Sequence, residues 1–265
     1  MHPLEHLRHV AALDGADPAE LAREAAASLA EVAAEGGGGL VPACRRLVER
    51  HPANGPLWWL SARLLASPEP YGTARESAVA LAHDPTAARL ADGLPEDAVV
   101  LTVGWPDQVA EALRRRGDVE VLVADSGGDG SALARALDRA GSVVSLVPDR
   151  GIGAAAALAG MVVVEASLAG PGGMLAAPGS YAAAAVAARL GVPVWAVAGV
   201  GRVLPASIWD AALARLDGCG LEPWDRATEL VPVELVAEVV TPAGIVGTDA
   251  LCEPSCPAAP ELTRQ

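Results

Sequence analysis

Residues 161–203 read MVVVEASLAGPGGMLAAPGSYAAAAVAARLGVPVWAVAGVGRV, and this stretch decides the fold class. The apolar run at 161–164 predicts a strand that enters a glycine-rich loop. Pro178-Gly179-Ser180 predicts a turn that opens an alanine-rich helix, and the apolar run at 193–198 predicts the next strand. Polar and glycine positions collect at the strand ends, which is where open α/β sheets bind their ligands.

The same alternation begins near residue 97. Strands that alternate with helices predict an α/β fold with a mostly parallel, Rossmann-like sheet and helices on both faces. Earlier strands are predicted at 98–103, 120–124 and 142–147, and helices at 106–116, 130–140 and 179–190. A helix near 233–240 and a turn or strand at 241–246 complete this half.

The N-terminal part predicts helices only. Asp17-Pro18-Ala19-Glu20 is a strong helix start, because aspartate can cap the helix and proline suits its first position. We predict a helical domain at 1–95, a Rossmann-like α/β domain at 96–250 and a C-terminal tail at 251–265. The proline content of that tail is typical of a poorly ordered end. Helices are predicted from residue 17 to about 35, at 40–50, 56–66 and 72–82, and after Asp84-Pro85.

Composition excludes several classes of protein. The formal net charge is −14, with 33 acidic residues against 19 arginines and no lysine. This charge argues against binding to nucleic acid or to an anionic membrane surface, because both require basic residues. No signal peptide is recognisable and no apolar run reaches about 18 residues, so we expect a cytoplasmic protein. For Cys252 and Cys256 we favour free thiols, with a disulfide or a metal site as the alternative; we predict no metal and no cofactor.

Four segments carry a resemblance to a known family. Glu165-Ala166-Ser167 stands where that family has Gly-Ala-Asp, and Ala176-Ala177 stands where it has Asn-Lys. Gly179-Ser180-Tyr181 matches its Gly-Thr turn, and GVPVWAV at 191–197 matches the strand that follows. Over about residues 97–248 the chain resembles the translation initiation factor 2B alpha, beta and delta subunits. Their superfamily includes methylthioribose-1-phosphate isomerase and ribose-1,5-bisphosphate isomerase.

Other segments follow the family's order. VLTVGW at 100–105 resembles the strand that ends at the isomerases' cysteine, Ala124-Asp125-Ser126 resembles the "ESRP" strand end, and Val147-Pro148-Asp149 the next one. VPVEL at 231–235 and TPAG at 241–244 resemble the C-terminal motifs. The resemblance implies a homodimer with a helical domain and a Rossmann-like domain, and a phosphorylated sugar or nucleotide as ligand. We interpret the chain as a diverged, bacterial-type member.

The chain departs from the family at the reactive positions. The isomerases use a cysteine and an aspartate to move protons, and here Gly104 and Ser167 stand at those positions. Losing a positioned acid or base costs roughly 10²–10⁴-fold in rate. Ala177 also replaces a lysine of the family, and Gly127 stands near the position of its expected arginine. The family isomerisation is therefore not expected.

Three residues are candidates for catalysis, namely Glu165, Ser167 and Asp125. Glu165 and Ser167 are two residues apart, so they share one face if the strand continues that far. Glu165 could then supply the missing carboxylate. In the alternative reading it caps a helix or forms a salt bridge at the sheet edge. Asp125 could likewise cap the next helix.

The candidates for ligand binding lie at predicted strand ends or at a helix start. The amides at Gly179 and Ser180 suit an anion, although a structural helix cap explains them equally well. Arg150 and Arg202 could contact phosphate, or be solvated surface arginines. Trp105 could stack on a ring or fill the pocket. The full set is Gly104, Trp105, Ser126, Asp149, Arg150, Gly179, Ser180 and Arg202.

Three functions remain open from sequence. The leading one is a regulatory or non-catalytic protein that binds a phosphorylated sugar or nucleotide. The alternative is a sugar-phosphate aldose–ketose isomerase or lyase with a relocated carboxylate, so the sequence leaves open whether the chain is an enzyme. The third is an interaction subunit whose pocket is filled by Trp105.

Overall fold

The computed structural model describes residues 17–35 and 38–264. Helices come first, and the Asp17 carboxylate caps the first of them by accepting from the Ala19 amide at 2.9 Å, as predicted. The helices before the sheet are α1 (Pro18–Ala34), α2 (Leu40–Arg50), α3 (Gly55–Ala66), α4 (Pro70–Ala82) and α5 (Thr86–Gly93). Helix α1 ends at Ala34, close to its predicted end at about residue 35.

An α/β region follows, as the sequence predicts. Its helices are α6 (Asp107–Arg114), α7 (Asp129–Arg139), α8 (Ile152–Leu158), α9 (Ser180–Leu190), α10 (Ala206–Asp217) and α11 (Pro260–Thr263). Its strands are β1 (Val99–Val103), β2 (Glu120–Asp125), β3 (Val143–Pro148), β4 (Met161–Glu165), β5 (Leu168–Gly170), β6 (Gly173–Ala176), β7 (Val194–Val197), β8 (Glu229–Pro232), β9 (Glu238–Thr241) and β10 (Gly244–Val246).

The main sheet has seven strands in the order β10-β9-β7-β4-β1-β2-β3. All neighbours are parallel except β10, which runs antiparallel to β9. From β1 the chain builds outward through β2 and β3, and from β4 it builds the other way through β7 and β9. Strand order therefore reverses between β1 and β4, and the carboxyl ends of these two strands border the crevice where such sheets bind ligands.

Two predictions about the connections are wrong. The segment after β4 is a β5–β6 hairpin that pairs with β8 in a separate three-stranded antiparallel sheet, not an open loop. The predicted helix near 233–240 is a short 3-10 turn at Val233–Leu235 followed by β9. Strand pairing decides the latter, because β9 lies against β7 and buries Val239 and Val240 completely.

The C-terminal tail is packed, against the expectation of a poorly ordered end. Leu262 is fully buried in the core of the helical layer, together with α10 side chains such as Ile208 and Trp209. The Glu261 carbonyl accepts from Arg45 Nε at 2.7 Å. Within the described residues, no helix is long and apolar enough to cross a membrane. All four cysteines are free thiols.

Candidate functional site

A cavity of about 170 Å³ lies at the carboxyl ends of β1 and β4, which is the switch point of the sheet. We call it the first cavity. Pro18 of α1 and the segment after β7 complete its wall, so helical layer and sheet both contribute. The polar side chains on the wall belong to Trp105, Asp107, Glu165, Ser167, Ser180, Arg202 and Thr228.

Glu165 has both carboxylate oxygens engaged. Oε2 accepts from the amides of Gln108 at 2.7 Å and Val109 at 3.1 Å, and thereby caps the N-terminus of α6. Oε1 lies 2.9 Å from Nη2 of Arg202. The two side chains are only 6% and 3% exposed. The structure thus shows the helix cap and the salt bridge that the alternative reading of Glu165 described.

Arg202 is a buried residue, and the reading as a solvated surface arginine is wrong. Its Nη1 donates to the Ala166 carbonyl. Its own carbonyl accepts from the Ala169 amide at 2.7 Å. Nη2 makes the ion pair with Glu165 but no well-aligned hydrogen bond within the described residues. The guanidinium therefore stands at the wall of the first cavity, fixed by Ala166 on one side and Glu165 on the other.

Burial alters the acidity of Glu165. Removal from water raises the pKa of its carboxyl to about 7, although the Arg202 guanidinium lowers it. The Asp107 carboxylate raises this pKa further, and the two amides act in the opposite direction. A carboxyl with this pKa exchanges its proton near neutral pH.

Asp107 is a site residue that sequence reasoning missed. It is the first residue of α6 and accepts from Trp105 Nε1 at 3.0 Å. Burial raises the pKa of its carboxyl to about 6, Asp17 adds to the rise, and Arg202 and Trp105 oppose it. The available signal was its place just after β1, where a polar residue reaches the crevice.

Ser167 lines the first cavity together with Glu165, although β4 ends at Glu165 and does not continue to Ser167. Its amide and its Oγ both donate to the Leu175 carbonyl, at 2.8 Å and 3.2 Å. Its carbonyl accepts from the Gly55 amide at 3.0 Å, which joins α3 to the site. The hydroxyl therefore donates to a backbone carbonyl and not to a base that could activate it.

The start of α9 is capped by a side chain that the sequence analysis did not single out. The Ser180 amide donates to the Ala177 carbonyl at 3.1 Å, and the Tyr181 amide donates to Oε1 of Glu229 at 2.7 Å. Gly179 lies just before this helix with φ +94°. The Glu229 carboxylate thus holds the position that an anionic ligand would take at this helix end.

A second cavity of about 550 Å³ lies beside the first, and Ala227 lines both. Its wall contains three predicted ligand contacts, Ser126, Asp149 and Gly179. Trp224 lines it as well.

Three other candidates lie outside the walls of both cavities. Oδ1 of Asp125 accepts from the Ser131 amide at 3.0 Å, so Asp125 caps α7, which was its alternative reading. Gly104 donates its amide to the Ala124 carbonyl at 2.9 Å. Arg150 is exposed in the turn after β3. In the part of the chain that the structure describes, no group of three or more histidine, cysteine or acidic residues could hold a metal ion.

No family model matches the sequence, and no curated protein matches it. Solved structures do resemble it. Translation initiation factor eIF-2B from Pyrococcus horikoshii OT3 has a TM-score of 0.74 and 18% identity, over 92% of this chain and 96% of that chain. The tetrameric eIF2B-beta2-delta2 complex from C. thermophilum has a TM-score of 0.77 and 18% identity, over 95% and 92%. The structure of eIF2B beta from Chaetomium thermophilum has a TM-score of 0.72 and 20% identity, over 94% of this chain and 87% of that chain.

Proposed function

Because the chain has the fold of the initiation factor 2B subunits that its motifs resemble, we propose that it is a ligand-responsive, non-catalytic protein. Its first cavity would bind a phosphorylated sugar or nucleotide. One observation carries the proposal: the Glu165 carboxylate, the candidate to supply the carboxylate that Ser167 lacks, is committed to α6 and Arg202. A carboxylate held by three partners is a poor proton shuttle, since it must give up bonds before it can act.

An anionic ligand has one strong potential contact in the first cavity. Arg202 presents a guanidinium there, and guanidinium pairs well with phosphate oxygens. Asp107 and Glu165 oppose an anion while they are charged. Burial raises the pKa of the Asp107 carboxyl to about 6, so an anion that approaches Arg202 favours the protonated form of Asp107. Binding of phosphate would therefore be coupled to proton uptake.

We propose a homodimer in the cytoplasm. Assembly is supported by the tetrameric complex of the similar eIF2B chains. The net charge of −14 disfavours nucleic acid as a partner.

A thermal-shift titration tests the proposal. Ribose 5-phosphate and adenosine monophosphate are added to the full chain, with ribose and inorganic phosphate as matched controls. We expect stabilisation by the phosphorylated ligands alone, of about 2.7 kcal/mol when the ligand reaches 100 times Kd. We also expect no turnover of ribose-1,5-bisphosphate or methylthioribose-1-phosphate when products are followed by NMR. Robust turnover refutes the non-catalytic reading, and lack of stabilisation by any phosphorylated compound refutes the ligand class.

A second candidate function is favoured by Asp107. Its carboxyl lies on the wall of the first cavity with a pKa of about 6, which suits proton transfer near neutral pH. An isomerase or lyase with relocated chemistry would then act through Asp107 rather than Glu165. If turnover of a sugar phosphate is found, Asp107→Asn abolishes it under this reading.

A further inference from the structure

We propose that the second cavity binds the base and ribose of a nucleoside, with Trp224 stacked on the base. This inference deepens the proposed function, because it names the class of ligand that would extend from the first cavity into the second. It rests on residues that line the second cavity but not the first.

Trp224 is the feature that points to a planar ligand. Its side chain is 79% exposed, whereas Trp58 is fully buried in the helical layer. It lies in a 3-10 turn at Pro223–Asp225 and lines the second cavity. An exposed indole beside a cavity is a stacking platform for a nucleobase, because every base has a π face that can lie on it.

Carboxylates that line the second cavity suit a ribose. Asp149 follows β3 directly and lines the second cavity. Asp129 begins α7 on the same wall. A carboxylate beyond a strand end accepts hydrogen bonds from the ribose hydroxyls in dinucleotide-binding sheets, and the same chemistry is available here.

The wall of the second cavity includes a glycine with a left-handed backbone conformation. A Cβ at Gly179 would lie 2.8 Å from Cδ1 of Ile152, and the backbone there has φ +94°. Glycine is therefore required at this point of the wall. The cavity volume of about 550 Å³ lies within the range usual for small-molecule sites.

The charged residues of the second cavity indicate which part of a nucleotide would bind there. Asp129, Asp149 and Asp225 line it together with one cation, Arg226. Arg226 is already paired with Asp217 at 3.0 Å. The excess of carboxylates favours an uncharged base and sugar and disfavours phosphate. A phosphate on the same ligand would lie on the Arg202 side, across the shared wall at Ala227.

Isothermal titration of the full chain tests this assignment. The four ribonucleosides, their monophosphates and ribose 5-phosphate are titrated into wild type, Trp224→Ala, Trp224→Phe and the control Leu158→Ala. Leu158 is 78% exposed and lines neither cavity. We expect at least one nucleoside to bind wild type and Leu158→Ala equally, about 10-fold more weakly to Trp224→Ala, and within about threefold to Trp224→Phe. Affinity for ribose 5-phosphate stays unchanged in all variants. Far-UV circular dichroism checks that each variant is folded.

The outcomes separate this inference from the proposed function. If ribose 5-phosphate binds but no nucleoside does, the nucleoside site is overturned and the proposed function stands. Equal affinity of wild type and folded Trp224→Ala for a nucleoside also overturns the site. If nucleosides bind in a Trp224-dependent manner and no phosphorylated compound binds, the nucleoside site is supported. The proposal that the first cavity binds a phosphorylated ligand is then refuted. If none of the titrated compounds binds, both the nucleoside site and the proposed function are overturned.

Discussion

Glu165 and Arg202 form a buried ion pair at the carboxyl end of β4, with Oε1 and Nη2 2.9 Å apart. The pair joins two segments that are distant in sequence, because Glu165 also caps α6 while Arg202 belongs to the segment after β7. It therefore fixes the wall of the first cavity from both sides. The strongest carboxylate candidate for chemistry is engaged in holding the site together.

The first prediction concerns the contribution of this pair to stability. Glu165→Ala leaves Arg202 buried without its counter-charge and α6 without its cap, so we expect a loss of about 3–5 kcal/mol in the free energy of unfolding. The matched control is Asp217→Asn, which breaks an ion pair of similar length, 3.0 Å, at a largely exposed carboxylate. That change should cost less than about 1 kcal/mol. Urea unfolding measures both, and equal losses would contradict a structural role for the pair.

The second prediction concerns pH and Asp107. Its pKa is about 6 in the folded protein and 3.8 for an ordinary aspartate, so the folded state holds this proton more tightly than the unfolded chain. The resulting stabilisation is fully present below about pH 4 and is lost as the pH rises through 6.

Asp107→Asn cannot titrate there. The unfolding free energy of wild type should therefore fall relative to this variant between pH 4 and 6, by on the order of 1–3 kcal/mol, and stay parallel to it above pH 7. Urea unfolding at each pH measures the difference. Parallel curves over the whole range would show that the carboxyl titrates normally.

The third prediction concerns the affinity for an anion at pH 7.5, where Asp107 is mostly ionised. Asp107→Asn removes a negative charge from the wall of the first cavity, so ribose 5-phosphate should bind about 3- to 10-fold more tightly. Asp92→Asn makes the same charge change at an exposed position of α5 and should leave the affinity unchanged. Weaker binding to Asp107→Asn would instead identify Asp107 as a direct contact of the sugar hydroxyls.

Local sequence patterns predicted β1, β2, β3, β4 and β7 of the main sheet, because strand periodicity is a local property, but β4 ends at Glu165, so periodicity does not explain why Ser167 also lines the first cavity. They did not predict the partners. Arg202 pairs with a residue 37 positions earlier, and Glu229 caps α9 at Tyr181 from 48 positions later. These long-range contacts depend on which strands are neighbours. Local sequence patterns do not predict the order of strands in a sheet.

The wrong helix near 233–240 shows the same limit. Val233, Val236 and Val240 are spaced as on one face of a helix. The segment nevertheless forms β9, since the edge of β7 is available to it and burial there outweighs the local pattern. Asp107 was missed for a different reason, because an aspartate at a helix start is usually a helix cap, and only its place just after β1 pointed to the crevice.

The last prediction concerns the contact that brings the helical layer to the site. Gly55 begins α3, and its amide donates to the Ser167 carbonyl at 3.0 Å. A Cβ at this position would lie 2.8 Å from the Ser167 carbonyl oxygen, 3.1 Å from Arg202 Cα and 3.2 Å from the Gly201 carbonyl oxygen. All three are backbone atoms, so the helix must move away from the sheet to accept a methyl group.

Gly55→Ala should therefore lower the free energy of unfolding by about 1–3 kcal/mol. Because Ser167 and Arg202 both line the first cavity, the same shift should also weaken binding of ribose 5-phosphate. Gly117→Ala is the matched control, since a Cβ there meets nothing within 4 Å. Urea unfolding and calorimetric titration measure the two effects. Normal stability of Gly55→Ala would mean that α3 can shift without cost, and its contact with Ser167 would then not hold the wall of the first cavity in place.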